Sequence, residues 1–199
     1  MQECACTLVT RQAPDFTAQA AMPDGSIGEL KLSDYKGKYV LLFFYPADFT
    51  FVCPSELLAF NKALPKFKEL NTEVISASVD NVYSHVAWKN TEPKNGGVGN
   101  LQFPMVADIT KEISRQYGVL LDGSVSLRGL FLIDRDGIVR HALVNDLPLG
   151  RSTDEAVRMV EALQFFEANG EVCPANWHQG AEGMKASAEG VADYLSKHA

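Results

Sequence analysis

The sequence predicts an α/β fold in which helices cover both faces of a mixed β-sheet. Between residues 39 and 119, short apolar runs alternate with segments of helical periodicity, as in successive βα units. Residues 129–144 then contain two β-rich runs split by the turn sequence DRDG, which is a hairpin signal. Parallel strands therefore give way to an antiparallel pair, which makes the sheet mixed.

The individual elements follow in order along the chain. Residues 39–45 are a continuous apolar run closed by a proline, which is typical of a buried central strand. Apolar residues then recur at helical intervals from Ser55 to about Leu70, and Pro65 is expected to kink or break this helix. The remaining predicted elements are a strand at 73–80, a helix at 82–91, a strand at 103–108, a helix at 110–119, the hairpin at 129–144, a capped helix at 152–170 and an appended arm from residue 171.

Composition and net charge limit the classes of protein to which this chain can belong. The chain has 199 residues, of which 46% are hydrophobic and 22% charged, as in an ordinary globular protein. Its net charge of -7 and the lack of a Lys/Arg cluster argue against nucleic acid as a partner. The N-terminus does not resemble a signal peptide, and no apolar run approaches the length of a membrane span. We therefore expect a cytoplasmic protein that binds neither membranes nor nucleic acid.

Four cysteines are present, at positions 4, 6, 53 and 173. A reducing compartment argues against a static disulfide framework, so a redox or a metal role has to be weighed. There is no C-x-x-C pair and no histidine at zinc-like spacing from these cysteines, which argues against a metal site. The cysteine pattern therefore favours a redox role and predicts no bound metal.

Cys53 lies at the predicted transition from a strand to a helix. A thiol attacks only as the thiolate, so a cysteine nucleophile needs stabilisation of its charged form. A helix N-terminus supplies it, with either Thr50 or Cys53 as the cap, and the Thr50 hydroxyl can donate to the sulfur or to a bound substrate. Pro46 fixes the exit of the chain from the strand. Against this stands the ordinary alternative for a lone cysteine, a buried and inert thiol.

The residues from Pro46 to Cys53 have the pattern P-x-x-x-T-x-x-C, which resembles the active-site signature of the peroxiredoxins, thiol peroxidases with a thioredoxin-like fold. Four further segments resemble the typical two-cysteine subgroup in the same order, at 13–16, 126–134, 145–155 and 171–177. The resemblance thus spans essentially the whole chain. It implies a thioredoxin-like peroxidase domain over residues 1–165 and a C-terminal arm over 166–199, within the same single domain.

The resemblance implies roles for the residues that match. Cys53 resembles the peroxidatic cysteine, and Pro46, Thr50 and Arg128 match residues that surround it in the family. A guanidinium group at Arg128 would stabilise the thiolate and donate hydrogen bonds to both oxygens of a peroxide. No cofactor is implied.

Two further charged residues match the family less directly. Arg151 falls where the family has a second arginine, and Glu56, one turn after Cys53, could hold the two guanidinium groups in place. For Arg151 and Glu56 a mainly structural role is the alternative.

Cys173 resembles the resolving cysteine of the family. Attack of Cys53 on a peroxide would give a sulfenic acid, with which a second thiol condenses before further oxidation occurs. In the typical subgroup that thiol comes from the partner subunit, so the resemblance implies a homodimer, assembled into a decamer of five dimers. Thioredoxin is the expected reductant of the disulfide, with a dedicated flavoprotein as the alternative. The expected substrates are hydrogen peroxide and organic hydroperoxides, in antioxidant defence and redox homeostasis.

Two segments bear on overoxidation. Residues 96–99 (GGVG) and 192–199 resemble the glycine loop and C-terminal helix that cover the active site in members sensitive to overoxidation. Leu195 departs from the pattern, because those members carry Phe there, and Leu keeps an apolar contact with less ring area. We therefore expect intermediate sensitivity.

Several residues receive no catalytic role. Cys4 and Cys6 precede the matched region and are expected to form a non-catalytic tail. Both tryptophans, Trp88 and Trp177, are expected to pack in the core or the arm. The four histidines are interpreted as structural or surface residues, at positions 85, 141, 178 and 198.

Two other functions compete with the peroxidase. One is a thioredoxin-like disulfide oxidoreductase, which the missing C-x-x-C pair argues against. The other is a holdase chaperone, which assemblies of this family can form when overoxidised.

Overall fold

The strands of this protein form one large sheet and one small hairpin. The computed structural model describes residues 7–198, so Cys4 and Cys6 lie outside the described part. Within it the strands are β1 (Thr17–Ala21), β2 (Ile27–Lys31), β3 (Tyr39–Phe44), β4 (Thr72–Ser78), β5 (Met105–Ala107), β6 (Leu120–Leu121), β7 (Val125–Ser126), β8 (Arg128–Ile133) and β9 (Val139–Asn145). The helices are α1 (Cys53–Glu69), α2 (Val82–Lys89), α3 (Glu112–Gln116), α4 (Thr153–Asn169) and α5 (Ala188–His198).

Seven of the described strands form a mixed sheet in the order β2-β1-β5-β4-β3-β8-β9. The neighbours of β4 are parallel to it, whereas β8 runs antiparallel to both β3 and β9. Helix α1 packs against β4, and α2 packs against β1 and β5. These pairings confirm the predicted α/β fold, the mixed sheet flanked by helices and the hairpin.

Strand β3 forms the centre of the core because its sequence is apolar at every position. All six of its residues are buried. The Phe43 ring stacks on Phe60 of α1 with the ring centroids 4.5 Å apart, which fixes the helix against the sheet. The end of β3 and the start of α1 are thereby held in a fixed relation, and the functional residues discussed below lie at that junction.

Pro65 was expected to kink or break helix α1, and the helix is not broken there. The helix continues to Glu69 with Pro65 inside it. A proline removes one backbone hydrogen bond, but Leu64 and Phe67 on either side of it are both buried and hold the two parts against the core. Tertiary packing thus outweighs the local preference of the proline.

The N-terminal hairpin of β1 and β2 was not predicted from the sequence. Its turn is closed by a hydrogen bond from the Met22 amide to the Ser26 carbonyl, and Gly25 takes the left-handed conformation with φ 86°. The Asp24-Gly25 dipeptide is a hairpin signal that could have revealed it. Helix α3 is shorter than predicted, and Gly118 follows it with φ 69°.

The chain divides into two compact units, between Thr153 and Asp154. The first contains both sheets and the first three helices. The second begins with α4, places Trp177 against Phe165 with ring centroids 4.8 Å apart, and ends with α5. The arm is expected to begin at residue 166 from the resemblance and at residue 171 from the residue pattern, and α4 continues unbroken to Asn169. None of the helices in the described part has both the length and the apolar character needed to cross a membrane.

Candidate active site

The loop between β3 and α1 (residues 45–52, the β3–α1 loop) carries most of the sequence motif. Pro46 is buried just after the strand, and Phe49 adopts a left-handed backbone with φ 53°, an unusual conformation for an aromatic residue. Helix α1 then begins at Cys53, so this side chain lies at the positive end of a long helix. The predicted placement of Cys53 at the helix N-terminus is confirmed.

The prediction that Thr50 or Cys53 caps this helix is wrong. Val52 is the N-cap residue, with helical dihedral angles and no hydrogen bond from its side chain. The Thr50 hydroxyl is occupied elsewhere, 2.7 Å from the Ala47 carbonyl oxygen and 2.9 Å from Cys53 Sγ. Neither Thr50 nor Cys53 therefore caps the helix, because the hydroxyl faces the sulfur instead.

The Thr50 hydroxyl can respond to the charge of the sulfur. It carries a single hydrogen and lies within hydrogen-bond distance of two acceptors, Ala47 O and Cys53 Sγ. When Cys53 is a thiol, its S–H can donate to Thr50 while Thr50 donates to Ala47. When Cys53 is a thiolate, the Thr50 hydrogen can turn towards the sulfur and stabilise its charge.

Arg128 supplies the second polar contact to the sulfur. Its Nη1 atom lies 3.5 Å from Cys53 Sγ and 2.7 Å from a carboxylate oxygen of Glu56. Its Nε atom donates to the carbonyl of Leu147 at 2.7 Å, which fixes the plane of the guanidinium group. Cys53 itself is completely buried. A fixed positive charge therefore lies next to the sulfur in a site shielded from solvent.

Glu56 joins Arg128 to Arg151. Arg151 donates from Nε and Nη2 to the two oxygens of Glu56, at 2.8 and 2.9 Å. The three side chains are at most 4% exposed. Burial lowers the pKa of Arg151, and the adjacent Glu56 carboxylate opposes that shift. Two guanidinium groups and one carboxylate leave one excess positive charge, which a Cys53 thiolate would balance.

Arg151 is anchored by the sheet as well. Its Nη1 atom donates to the carbonyls of Phe44 and Gly129, at 2.8 and 2.6 Å, and its guanidinium lies 5.0 Å from the centre of the Phe43 ring. Among the described contacts Arg151 hydrogen-bonds Glu56 rather than Cys53, and its charge also interacts directly with that of Cys53. The structure thus brings Thr50, Arg128, Glu56 and Arg151 together around Cys53.

A buried polar cluster next to the β3–α1 loop was not predicted from the sequence. His85 is completely buried on α2, where Nδ1 lies 2.8 Å from an Asp48 oxygen and Nε2 lies 3.2 Å from the Val106 carbonyl. The Tyr45 hydroxyl donates to the other Asp48 oxygen at 2.8 Å. Asp48 belongs to the motif itself, but its partner lies 37 residues away, and nothing in the sequence indicates that pairing.

Cys173 lies in the second unit. Its sulfur is half-buried and 3.4 Å from the carbonyl of Ala162. Burial raises the pKa of the Cys173 thiol, and the positive charge of Arg158 partly opposes that shift. Arg158 also donates to the Trp177 carbonyl at 2.8 Å, which holds the loop that follows Cys173. Both Cys53 and Cys173 are free thiols.

The glycine segment at 96–99 is held by α2. Trp88 donates from its indole nitrogen to the Gly96 carbonyl at 2.8 Å. A Cβ at Gly97 would lie 1.9 Å from the Thr91 carbonyl oxygen, so only glycine fits there. In the second unit, α5 contains most of the C-terminal segment noted above, and the Leu195 side chain is half exposed. Within residues 7–198, no group of three or more His, Cys, Asp or Glu side chains is arranged to hold a metal ion.

Comparisons with known proteins agree with this geometry. The model of the AhpC/TSA family matches residues 9–142, and that of the C-terminal domain of 1-Cys peroxiredoxin matches residues 162–197. The chain is 54% identical to alkyl hydroperoxide reductase C of Helicobacter pylori over 96% of its own length and 98% of that protein.

Two solved structures are similar over most of the chain. The reduced 2-Cys peroxiredoxin of Plasmodium vivax has a TM-score of 0.95 and 54% identity, covering 96% of this chain and 100% of that one. Thioredoxin peroxidase I of Plasmodium yoelii has a TM-score of 0.78 and 53% identity, covering 86% of this chain and 99% of that one.

Proposed function

Because the chain belongs to the AhpC/TSA family of peroxiredoxins and is therefore a thiol-dependent peroxidase, we propose that Cys53 is the residue that attacks the peroxide. The observation that carries this assignment is the contact of one buried sulfur with two donors, Thr50 at 2.9 Å and Arg128 at 3.5 Å. A helix N-terminus adds a third stabilising influence on the thiolate. Cys173 has no such pair of donors.

The proposed reaction is a nucleophilic displacement on oxygen. The Cys53 thiolate attacks one oxygen of the peroxide, the S–O bond forms, and the O–O bond breaks. The products are a sulfenic acid on Cys53 and a hydroxide or alkoxide, which takes up a proton to leave as water or an alcohol. Hydrogen peroxide and organic hydroperoxides share this step because each presents the same O–O bond.

Thr50 and Arg128 are proposed to stabilise the developing charges. The Thr50 hydroxyl can donate to the sulfur in the ground state and to a peroxide oxygen as the sulfur loses its charge. Arg128 is fixed by Leu147 and Glu56, so its remaining N–H groups need little reorganisation to donate to the leaving oxygen. Pro46 is proposed to shape the same pocket by removing a competing backbone donor at the start of the β3–α1 loop.

Glu56 and Arg151 are proposed as positioning residues. Neither donates a hydrogen bond to the sulfur, but the Glu56 carboxylate holds Arg128 in place, and Arg151 holds that carboxylate through both of its oxygens. The Arg151 backbone amide donates to Glu56 as well, at 2.8 Å. Four hydrogen bonds therefore fix the carboxylate that orients Arg128.

Cys173 is proposed as the resolving cysteine. It would condense with the sulfenic acid on Cys53 of a partner subunit, releasing water and forming an intersubunit disulfide. This requires at least a homodimer, and we propose the decamer of five dimers that the subgroup implies. Thioredoxin is the proposed reductant, supported by the name of the P. yoelii relative, and a reducing compartment such as the cytoplasm would supply it.

The deciding experiment measures peroxide consumption with thioredoxin, thioredoxin reductase and NADPH. The Cys53→Ser variant should lose the activity completely, whereas Cys173→Ser should still react once with peroxide but fail to turn over with thioredoxin. A Cys53→Ser variant with full turnover would contradict the assignment. Suppression of aggregation that does not depend on Cys53 would instead indicate a chaperone.

A further inference from the structure

The Asp48–His85 pair lies directly beside the residues proposed for catalysis, yet neither side chain contacts Cys53. Both are at most 1% exposed. Asp48 precedes Thr50 by two positions in the β3–α1 loop, and its backbone amide donates to Asp80 at 2.9 Å. Asp48 is therefore held by Tyr45 within the same loop, by His85 on α2 and by Asp80 after β4.

The hydrogen-bond partners of His85 determine how many protons the pair must hold. The Val106 carbonyl can only accept, so Nε2 of His85 must carry a hydrogen. The contact between Nδ1 and the Asp48 oxygen, 2.8 Å long, also needs a hydrogen between the two atoms. The pair therefore holds one proton more than an ionised Asp48 and a neutral His85 would hold in these positions.

Other polar groups surround the pair. The Tyr45 hydroxyl, from the same loop, donates to the second Asp48 oxygen and also lies 3.4 Å from Nδ1 of His85, and burial together with the Asp48 charge raises the pKa of Tyr45 well above its usual value. Asp80, which follows β4, accepts from the Ser78 hydroxyl at 2.6 Å and from the Asp48 amide. From β5 the carbonyl of Val106 faces the pair. Among the described contacts, the surroundings thus supply one phenol and one further carboxylate, and no cation.

Loss of the contact between Asp48 and His85 would be transmitted to Thr50 through the backbone. Phe49, between Asp48 and Thr50, has the left-handed conformation that a non-glycine residue adopts only when its surroundings impose it. The Phe49 ring packs against Trp88 on α2, with the ring centroids 5.7 Å apart. The side chain of Asp48 and the ring of Phe49 are both held by α2, and together they set the turn that directs the Thr50 hydroxyl at Cys53.

We propose that the buried Asp48–His85 pair, through its hydrogen bonds, positions the β3–α1 loop for the reaction of Cys53 with peroxide. This proposal rests on the proposed role of Cys53. With the pair intact, Thr50 stays against the sulfur and the loop stays folded. Without it, the loop opens more often, so attack on peroxide slows and the sulfenic acid partitions towards the disulfide rather than further oxidation.

Two substitutions at Asp48 test the proposal. Asp48→Ala removes the pair and should reduce the rate constant for hydrogen peroxide about tenfold or more, since buried donors lose their partner. Asp48→Asn can accept from Tyr45 and donate its amide hydrogen to Nδ1 of His85, which keeps every hydrogen bond of the pair. It should recover most of the rate that Asp48→Ala loses.

Stopped-flow measurements of the peroxide reaction give the decisive comparison. The rate constant of Asp48→Asn should lie close to that of the wild type, and that of Asp48→Ala should lie well below both. An Asp48→Asn rate constant as low as that of Asp48→Ala would show that the hydrogen bonds of the pair do not position the loop. Wild-type rate constants in Asp48→Ala would overturn the positioning role.

A second pair of variants keeps the proposal testable if Asp48→Ala does not fold. Tyr45→Phe removes one hydrogen bond to Asp48, and Tyr117→Phe removes a similarly buried hydroxyl that donates to the Pro14 carbonyl in the same unit. Mass spectrometry after peroxide treatment should show less sulfinic acid relative to disulfide in Tyr45→Phe and an unchanged ratio in Tyr117→Phe. Equal ratios in both would contradict the proposal. Cys53→Ser tests the peroxidase assignment separately, because it abolishes the reaction rather than slowing it or changing the ratio of its products.

Discussion

Two buried guanidinium groups lie within hydrogen-bond distance of one carboxylate, and a buried cation needs such a partner because burial removes its hydration. At the scale of single residues, Glu56 is therefore the most sensitive position near the sulfur. It holds Arg128 and Arg151 close together, and the three side chains carry one excess positive charge beside the sulfur. Thr50 then adds a hydrogen bond whose direction can follow the charge of the sulfur.

The Glu56→Gln substitution should destabilise the first unit. A neutral amide leaves two buried guanidinium groups without a counter-ion, and breaking a buried ion pair in this way costs about 3 kcal/mol. Urea unfolding measures the change in the free energy of unfolding. Glu112→Gln is the matched control, because Glu112 pairs with Arg115 at the surface, where both side chains are more than half exposed, and little change is expected. An equal loss in both variants would argue against a special role for Glu56.

A matched pair of substitutions at Thr50 separates the hydroxyl from the shape of the side chain. Thr50→Val keeps the branched shape but cannot donate to the sulfur, so the rate constant for hydrogen peroxide should fall by about 100-fold, as when one donor to a developing charge is removed. Thr50→Ser keeps the hydroxyl and should retain most of the rate. Stopped-flow measurement at one pH is sufficient. If valine and serine behave alike, the hydrogen bond at 2.9 Å has no role in the reaction.

Prediction from the sequence worked differently for different residues. The motif and the resemblance identified Thr50, Arg128, Glu56 and Arg151, and the structure places all four around Cys53. They could be found because their residue types and their order along the chain carry the signal. His85 could not be assigned a partner, because its contact with Asp48 arises from folding and leaves no local pattern. The roles of these residues in catalysis stay predictions until the variants are measured.

At the scale of secondary structure, strong apolar patterns decided what could be predicted. Strand β3 and helix α1 were predicted because both have long, consistent apolar patterns. The N-terminal hairpin was missed because its strands are short and rich in small residues, and β-propensity is weak in such segments. The N-cap of α1 was predicted incorrectly because residue preference favoured Thr50, whereas its hydroxyl instead hydrogen-bonds Cys53 Sγ and the Ala47 carbonyl.

Helix α5 carries the departure from the family pattern that bears on overoxidation. We expect Leu195→Phe, which restores the ring that the resemblance implies for sensitive members, to raise the fraction of sulfinic acid formed at high peroxide. Ser196→Phe is the control, since it adds the same ring one position along, on a different face of the helix. Mass spectrometry over a series of peroxide concentrations measures both. An unchanged sulfinic fraction in Leu195→Phe would show that this position does not limit unfolding of the active site.

For the whole molecule, the mixed sheet and the similarity to solved peroxiredoxins establish a thioredoxin-like fold and a thiol peroxidase. The sequence predicted this fold through several short motifs in a fixed order, which is a stronger signal than any single motif. The pairing of Cys53 with Cys173 of a partner subunit is a proposal, and the formation of a covalent dimer tests it.

One equivalent of peroxide should convert the reduced protein to a covalent dimer that is visible on a non-reducing gel. The dimer should be absent in both Cys53→Ser and Cys173→Ser, whereas a double Cys4→Ser, Cys6→Ser variant should still form it. Because burial raises the pKa of Cys173, its thiolate is scarcer at neutral pH than that of an exposed cysteine. The rate of dimer formation after the sulfenic acid has formed should therefore increase as the pH is raised, until Cys173 is fully ionised. A rate that stays constant from neutral to alkaline pH would mean that Cys173 is already ionised, or that a conformational step limits disulfide formation instead of the thiol.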